Sequence, residues 1–112
     1  MKSKGKAKNI TFNYDGIDYC LEFSRNAIRQ MEAEGFDPSE YEKKPMTVAN
    51  DLFRGAFKAH HPMTKTTLID EIFEKIGDKE GLFSTLVELY QAPFEAMAES
   101  PAEGEITWKV GQ

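Results

Sequence analysis

The stretch "ITFNYDGIDYCLEF", residues 10–23, determines how the fold begins. Asp15 and Gly16 supply the two positive-φ positions that a two-residue type I′ turn requires. A turn here pairs Tyr14 with Ile17, and apolar and polar side chains alternate at every position on both sides of it. Because successive strand residues point to opposite faces, the stretch predicts an antiparallel β-hairpin with one apolar face.

The two faces of this hairpin differ in polarity. The apolar face is expected to carry Ile10, Phe12, Tyr14, Ile17, Tyr19, Leu21 and Phe23. The opposite face is expected to carry Thr11, Asn13, Asp18, Cys20 and Glu22. A two-stranded hairpin is only marginally stable alone in water, so we expect its apolar face to pack on the elements that follow.

Capping residues mark the first helix. In "FSRNAIRQMEAEGF", Ser24 is an N-cap residue, and Gly35 is suited to the left-handed position that closes a helix. These two signals predict a helix at about 25–34. The segment after it begins with the capping residue Asp37 and predicts about one helical turn, which ends before Pro45.

Apolar side chains at helical spacing predict three longer helices, at about 48–61, 65–76 and 79–98. Gly55 lies inside the first of them and costs about 1 kcal/mol relative to alanine, so we expect a neighbouring backbone to approach closely there, in preference to a hinge. Pro93 lies inside the last of them and predicts a kink.

These elements predict an α+β fold that is mostly α, in which the hairpin packs on a small helical bundle. The length of 112 residues is typical of one domain. We expect a basic, disordered arm at residues 1–9, a single globular domain at 10–99 and a flexible C-terminal tail at 100–112.

The charge of the chain argues against several kinds of partner. Four lysines lie in the first eight residues, and the rest of the chain has a net charge of −9, which gives −5 overall. A body of that sign repels phosphate groups, so we expect no nucleic-acid partner. No apolar run approaches the ~20 residues of a membrane span. The single cysteine, Cys20, cannot form an internal disulfide and favours a reducing compartment.

The adjacent histidines His60 and His61 are the first candidates for chemistry. Metal-binding histidine pairs on helices are spaced four residues apart, and neither histidine has such a partner. We expect His60 to extend an apolar stripe, partly buried, and His61 to precede Pro62 at a helix end. Cys20 is expected to be structural. The interpretation is therefore a helix end, with no metal and no cofactor.

The acidic residues Asp70, Glu71 and Glu74 cluster on the polar side of the predicted helix at 65–76. Glu71 and Lys75 form a helix-supporting pair four residues apart, which favours a solvated face over an ion site. Nucleotide-binding, hydrolase and redox motifs do not occur in the sequence. The sequence therefore predicts a protein that is not an enzyme.

Apolar bulk near the C-terminus is the remaining signal. We predict that Phe94, Met97 and Trp108 bind a partner, because apolar groups on an acidic terminal segment are suited to capturing another chain. Burial of the same side chains in the core is the alternative. Ile106, Trp108 and Val110 also alternate, so this segment has the pattern of a strand that forms on contact with another chain.

The order of three segments resembles a known family. These are "YDGIDYCLEFSRNAIRQMEAEGF", "KPMTVANDLFRGAFKAHHPMTKTTLIDEIFEKI" and "LVELYQAPFEAMAE". Together they resemble the tail assembly chaperones of long-tailed phages and prophages of Gram-positive bacteria, over about residues 9–99. The phrases "FSRNAIRQMEAEGF" and "GAFKAHH" carry most of the similarity. None of these segments contains a catalytic motif.

The resemblance implies a function in the host bacterial cytoplasm. Such chaperones bind the tape-measure protein, keep it soluble and help recruit tail-tube subunits around it, and they are absent from the finished virion. Many are also made as a longer frameshift product. The resemblance therefore implies a further candidate partner, a longer frameshift product of the same gene. Other copies of this chain are also candidate partners.

Two other functions compete with the chaperone. The first is a structural tail or head-tail connector subunit that is retained in the virion. The second is a metal-dependent hydrolase that uses His60 or His61, for which the sequence offers no metal-ligand spacing.

Overall fold

The computed structural model describes residues 8–98, 106 and 108–111. Two strands and four α-helices follow one another: β1 Ile10–Tyr14, β2 Ile17–Leu21, α1 Arg25–Ala33, α2 Pro45–Ala56, α3 Thr66–Lys75 and α4 Lys79–Ala98. A short 3₁₀ helix, Pro38–Glu42, lies between α1 and α2. The predicted α+β, mostly α, fold is confirmed. The predicted arm lies almost wholly outside the described residues, as does much of the predicted tail.

The hairpin has the predicted register. Its pairs are Ile10 with Leu21, Thr11 with Cys20, Phe12 with Tyr19, Asn13 with Asp18 and Tyr14 with Ile17. Asp15 and Gly16 have φ values of 53° and 82°, the positive values that a type I′ turn requires. Burial increases away from the turn: Ile17 is 52% exposed, whereas Leu21 is fully buried. The open end of the hairpin therefore contributes to the core, and the turn extends away from it.

Helix α1 begins and ends with the predicted caps. The Ser24 hydroxyl accepts a hydrogen bond from the Ala27 N–H at 3.1 Å. At the other end Gly35 has a φ of 100°, and the Phe36 N–H donates to the Met31 carbonyl at 2.9 Å. A left-handed glycine with this backward hydrogen bond is a Schellman motif. Both ends of the helix thus follow from local sequence.

Helix α2 begins and ends earlier than predicted. Pro45 starts it, because a residue in the first turn needs no N–H partner. The helix stops at Ala56, whose carbonyl accepts a hydrogen bond from the Glu22 N–H at 3.0 Å. Phe57 and Lys58 then bond back by three residues, the tighter spacing that commonly ends a helix. The C-terminal end of α2 thus depends on contact with the hairpin, and the spacing of apolar residues along the helix does not predict it.

Gly55 permits close packing between α1 and α2. A Cβ atom on this residue would overlap the side chain of Met31, which is itself buried. The expected close approach is therefore present, but the prediction that a backbone lies there is wrong. A methionine side chain fills the space instead.

Helices α3 and α4 are joined by a capped turn. Asp78 has a φ of 48°, and its carboxylate accepts a hydrogen bond from the Gly81 N–H at 3.1 Å. Asp78 thus caps α4 and itself adopts a left-handed conformation. Helix α4 continues through Pro93 to Ala98. Because proline has no backbone N–H, it cannot donate the usual helical hydrogen bond to the carbonyl four residues earlier.

A single cluster of buried apolar residues draws on the hairpin and on all four helices. It contains Tyr19, Leu21, Phe23, Ile28, Met31, Leu52, Phe53, Ala56, Phe57, Ile69, Ile72, Leu82, Leu86 and Leu89. Phe53 and Phe57 are completely or almost completely buried at its centre, with ring centroids 5.2 Å apart. Partly buried residues of the hairpin pack against this cluster, as the hairpin's apolar face requires.

Polar contacts on the surface connect the elements further. Arg54 of α2 donates two hydrogen bonds to Asp70 of α3, at 3.0 and 2.7 Å. The predicted pair of Glu71 and Lys75 is confirmed at 3.8 Å. The Tyr14 hydroxyl donates a hydrogen bond to Glu71, which raises the pKa of Tyr14. The acidic face of α3 is exposed to solvent and is also hydrogen-bonded to α2 and to the hairpin.

Candidate partner-binding surface

Two of the three predicted partner-binding residues lie together near the end of α4. Phe94 is 42% exposed and Met97 is 53% exposed. They are three residues apart in a helix, so their side chains are neighbours on one face. Both are large apolar groups in contact with water, which argues against the alternative that they are buried in the core.

The exposed Phe94 ring packs against a partly buried tyrosine. Its centroid lies 5.5 Å from that of Tyr90. Tyr90 in turn makes edge contacts with Phe23 and Phe36, at 5.4 and 5.6 Å. Burial raises the pKa of the Tyr90 hydroxyl. A chain of aromatic contacts therefore connects the surface residue with the core, which includes Phe23.

Between α1 and the end of α4 lies a small cavity of about 150 Å³, which we call the α1–α4 groove. Ile28 of α1 and Pro93, Phe94 and Met97 of α4 give it an apolar lining. Pockets for drug-sized molecules usually have volumes of ~300–1,000 Å³. The groove is too small for such a ligand and is suited to one or two apolar side chains of another polypeptide.

Charged side chains of α1 complete the groove. Arg25 and Arg29 lie one turn apart and are exposed, and Glu32 follows on the same helix. An apolar lining next to arginine is typical of the residues that dominate protein–protein contacts. The rim therefore favours a partner that presents acidic residues beside apolar ones.

Trp108 lies apart from this groove. It is 82% exposed and is not among the groove residues. Residues 108–111 have no helical or strand assignment, so the strand pattern of this segment has no counterpart in the described structure. The structure thus brings together Phe94 and Met97 and leaves the third predicted residue elsewhere.

Sequence reasoning missed the α1 side of the groove. Arg25 and Arg29 have the i, i+4 spacing that places them on one helical face, but this signal is common on solvated helices. Ile28 is buried, as is usual for an apolar residue of an amphipathic helix. Which face of α1 meets α4 depends on how the helices dock, and no local pattern specifies that.

The environment of His60 differs from the predicted one, and His61 makes a contact that was not predicted. His60 is exposed, and its Nε2 lies 2.8 Å from a Glu22 carboxylate oxygen. His61 is half-buried, and its Nε2 accepts a hydrogen bond from the Cys20 N–H at 3.0 Å. The prediction that His60 packs along the apolar stripe is wrong, because α2 ends at Ala56 and the following turns change the direction of both side chains.

Comparison with known families places the chain. Residues 6–112 match a family described as a domain of unknown function, DUF5055. The chain belongs to the DUF5055 family. No curated protein and no solved structure matches this DUF5055 chain. Within the described residues, no helix of the DUF5055 domain combines the length and the apolar character needed to cross a membrane.

Proposed function

We propose that the chain is a tail assembly chaperone of a long-tailed phage or prophage, and that it acts without catalysis in the cytoplasm of the bacterial host. The single observation that supports this best is the α1–α4 groove, where Phe94 and Met97 are exposed and the Phe94 ring packs against Tyr90. The resemblance in segment order supplies the proposed client, the tape-measure protein.

Binding follows the helix-in-groove mode. The tape-measure protein is proposed to present an amphipathic helix whose apolar side chains enter the groove one or two at a time. A site of about 150 Å³ buries little apolar area, so each contact is weak. A long client with repeated stripes offers many such sites, so many copies can cover it at once.

Charge assists the same step. Arg25 and Arg29 attract acidic residues that flank the apolar stripe of the client. The chain as a whole carries a formal net charge of −5, which opposes association between copies bound side by side and favours solubility of the complex. Tail-tube subunits are proposed to displace the chaperone as they assemble around the tape-measure protein.

Binding of a tape-measure fragment by groove variants tests this proposal. We expect Phe94→Ser combined with Met97→Ser to weaken binding at least about tenfold, because truncating a central interface residue commonly costs more than ~1 kcal/mol. Isothermal titration calorimetry with a purified fragment measures the change. Met46→Ser combined with Met63→Ser is the matched control, since both methionines are exposed outside the groove.

Two outcomes contradict the proposal. In the first, the tape-measure fragment does not bind the unaltered chain, or binds it equally well after the groove substitutions. In the second, mass spectrometry finds the chain in purified mature particles at a fixed copy number. That result favours the alternative, a structural tail or head-tail connector subunit.

A further inference from the structure

Three potential metal ligands converge where the hairpin meets the end of α2. Cys20 lies on β2, and Glu22 is the first residue after this strand. The two residues are two positions apart in extended backbone, so their side chains are on the same face. His60 comes from the turns after α2. The thiol sulfur, one carboxylate oxygen and one imidazole nitrogen all lie within 4.8 Å of one another.

Backbone hydrogen bonds hold this cluster in position. The Glu22 N–H donates to the Ala56 carbonyl at 3.0 Å, and the Cys20 N–H donates to His61 Nε2 at 3.0 Å. The first bond fixes the end of β2 against α2, and the second fixes the strand against the residue after His60. Neither bond uses a side-chain atom of the three-residue cluster. His60 Nε2 and a Glu22 carboxylate oxygen lie 2.8 Å apart, so a metal ion would replace the contact between them.

An open cleft gives access from solvent. Cys20 and His60 both line a cleft of about 640 Å³ beside the polar face of the hairpin. Cys20 and Glu22 are half-buried, whereas His60 is exposed. An ion can therefore reach the cluster without any opening of the fold.

We propose that Cys20, Glu22 and His60 form a binding site for a borderline divalent transition metal, with Zn²⁺ the best fit. Thiolate and imidazole are ligands that Zn²⁺ prefers, and carboxylate is also accepted, whereas Mg²⁺ and Ca²⁺ require oxygen ligands. Around a tetrahedral zinc ion the ligand atoms lie about 3.3–3.8 Å apart. The three atoms lie within 4.8 Å of one another, and His60 Nε2 is 2.8 Å from the Glu22 oxygen, so side-chain rotations are needed to reach that spacing. Water takes the fourth position.

Metal binding changes the protonation of the cluster in a defined way. The Cys20 thiol loses its proton to solvent as the sulfur–metal bond forms, and His60 binds through an unprotonated nitrogen. The thiolate and the carboxylate together balance the charge of the ion. This site is independent of the α1–α4 groove and of the proposed chaperone function.

Cobalt titration of the reduced, metal-stripped full chain tests the site. We expect Co²⁺ to produce a sulfur-to-cobalt charge-transfer band in the near ultraviolet together with the visible bands of tetrahedral cobalt. Zn²⁺ should then displace the cobalt and abolish both. The melting temperature should rise with Zn²⁺, because the ion binds only where the hairpin and the end of α2 are brought together in the folded state.

Ligand variants sharpen the test. Cys20→Ser should remove the charge-transfer band, and Glu22→Gln and His60→Gln should each weaken Co²⁺ binding at least about tenfold, since even changes outside the ligand shell reach 10–100-fold. Asp18→Asn is the matched control. It removes a carboxylate from the same face of β2, two residues before Cys20, and should leave Co²⁺ binding unchanged.

Circular dichroism establishes that each variant is folded, and the side chains changed are exposed or half-buried. The proposal is overturned if folded wild-type protein gives no sulfur-to-cobalt band. It is equally overturned if cobalt binding survives Cys20→Ser and His60→Gln with unchanged affinity.

Discussion

The hairpin–α2 junction and the α1–α4 groove are built in opposite ways. At the junction, directional hydrogen bonds from Cys20 and Glu22 hold the strand, and Tyr19 packs against Phe57 with centroids 5.6 Å apart. In the groove, apolar groups of α4 face solvent beside α1. Apolar contact is non-directional and tolerant of different partners, whereas hydrogen-bonded contact specifies one geometry. The junction therefore determines the fold, and the groove is the surface suited to a changeable partner.

The largest expected effect is the difference in stability between a substitution in the core and one in the groove. Phe53 is completely buried among other aromatic rings, so Phe53→Ala should lower the free energy of unfolding by about 3–5 kcal/mol. Phe94→Ala should lower it by less than ~1 kcal/mol, because much of that ring is already in water. Urea unfolding measures both values. A similar cost for the two substitutions would show that Phe94 is part of the core, and the contrast between the regions would fail.

A medium effect is expected where α1 and α2 are in closest contact. Gly55→Ala improves helix propensity by about 1 kcal/mol, but the added methyl group displaces the buried Met31 side chain. Overpacking costs about 1–3 kcal/mol, so after the gain in helix propensity we expect a net loss of up to about 2 kcal/mol in the free energy of unfolding. Gly77→Ala is the matched control, since a Cβ there meets no atom within 4 Å and its φ is not positive. A stabilised Gly55→Ala variant would contradict the tight packing described for this contact.

The smallest expected effect is a pH dependence at the α2–α3 contact. Hydrogen bonds from Arg54 hold the pKa of Asp70 below its ordinary value of 3.8. Because the folded pKa is the lower one, the resulting stabilisation is complete above the unfolded value and is lost as the pH falls through the folded value. Both side chains are partly exposed, so we expect only about 0.5–1 kcal/mol at neutral pH.

Urea unfolding of Asp70→Asn beside the unaltered chain measures this contribution over a series of pH values. The difference between the two free energies of unfolding should be greatest near neutral pH and should shrink in acid. A difference that does not change with pH would mean that the ionised carboxylate contributes nothing to stability at this contact.

Features encoded by neighbouring residues could be predicted from the sequence. The hairpin register follows from the alternation around Asp15 and Gly16, and the ends of α1 follow from Ser24 and Gly35. Each of these signals acts over a few residues, through a turn geometry or a single hydrogen bond. Tertiary packing did not need to be known, and the structure agrees at each position.

Features that depend on docking could not be predicted. The end of α2 is determined by a hydrogen bond from Glu22, which is far away in the sequence. The same docking event leaves His60 exposed, against the prediction, and it brings Cys20 near His60. The groove likewise depends on which face of α1 meets α4. Phe94 and Met97 could be proposed from their apolar bulk, but their neighbours on α1 could not.

The hydrogen bond between the Glu22 amide and the Ala56 carbonyl has a consequence for slow opening motions. In a longer α2 this carbonyl would accept from the N–H of residue 60, so a further turn of helix competes with the bond from the strand. Exchange of the Glu22 amide proton with deuterium therefore requires that the contact between the end of β2 and the end of α2 opens. This one amide reports how often that junction opens.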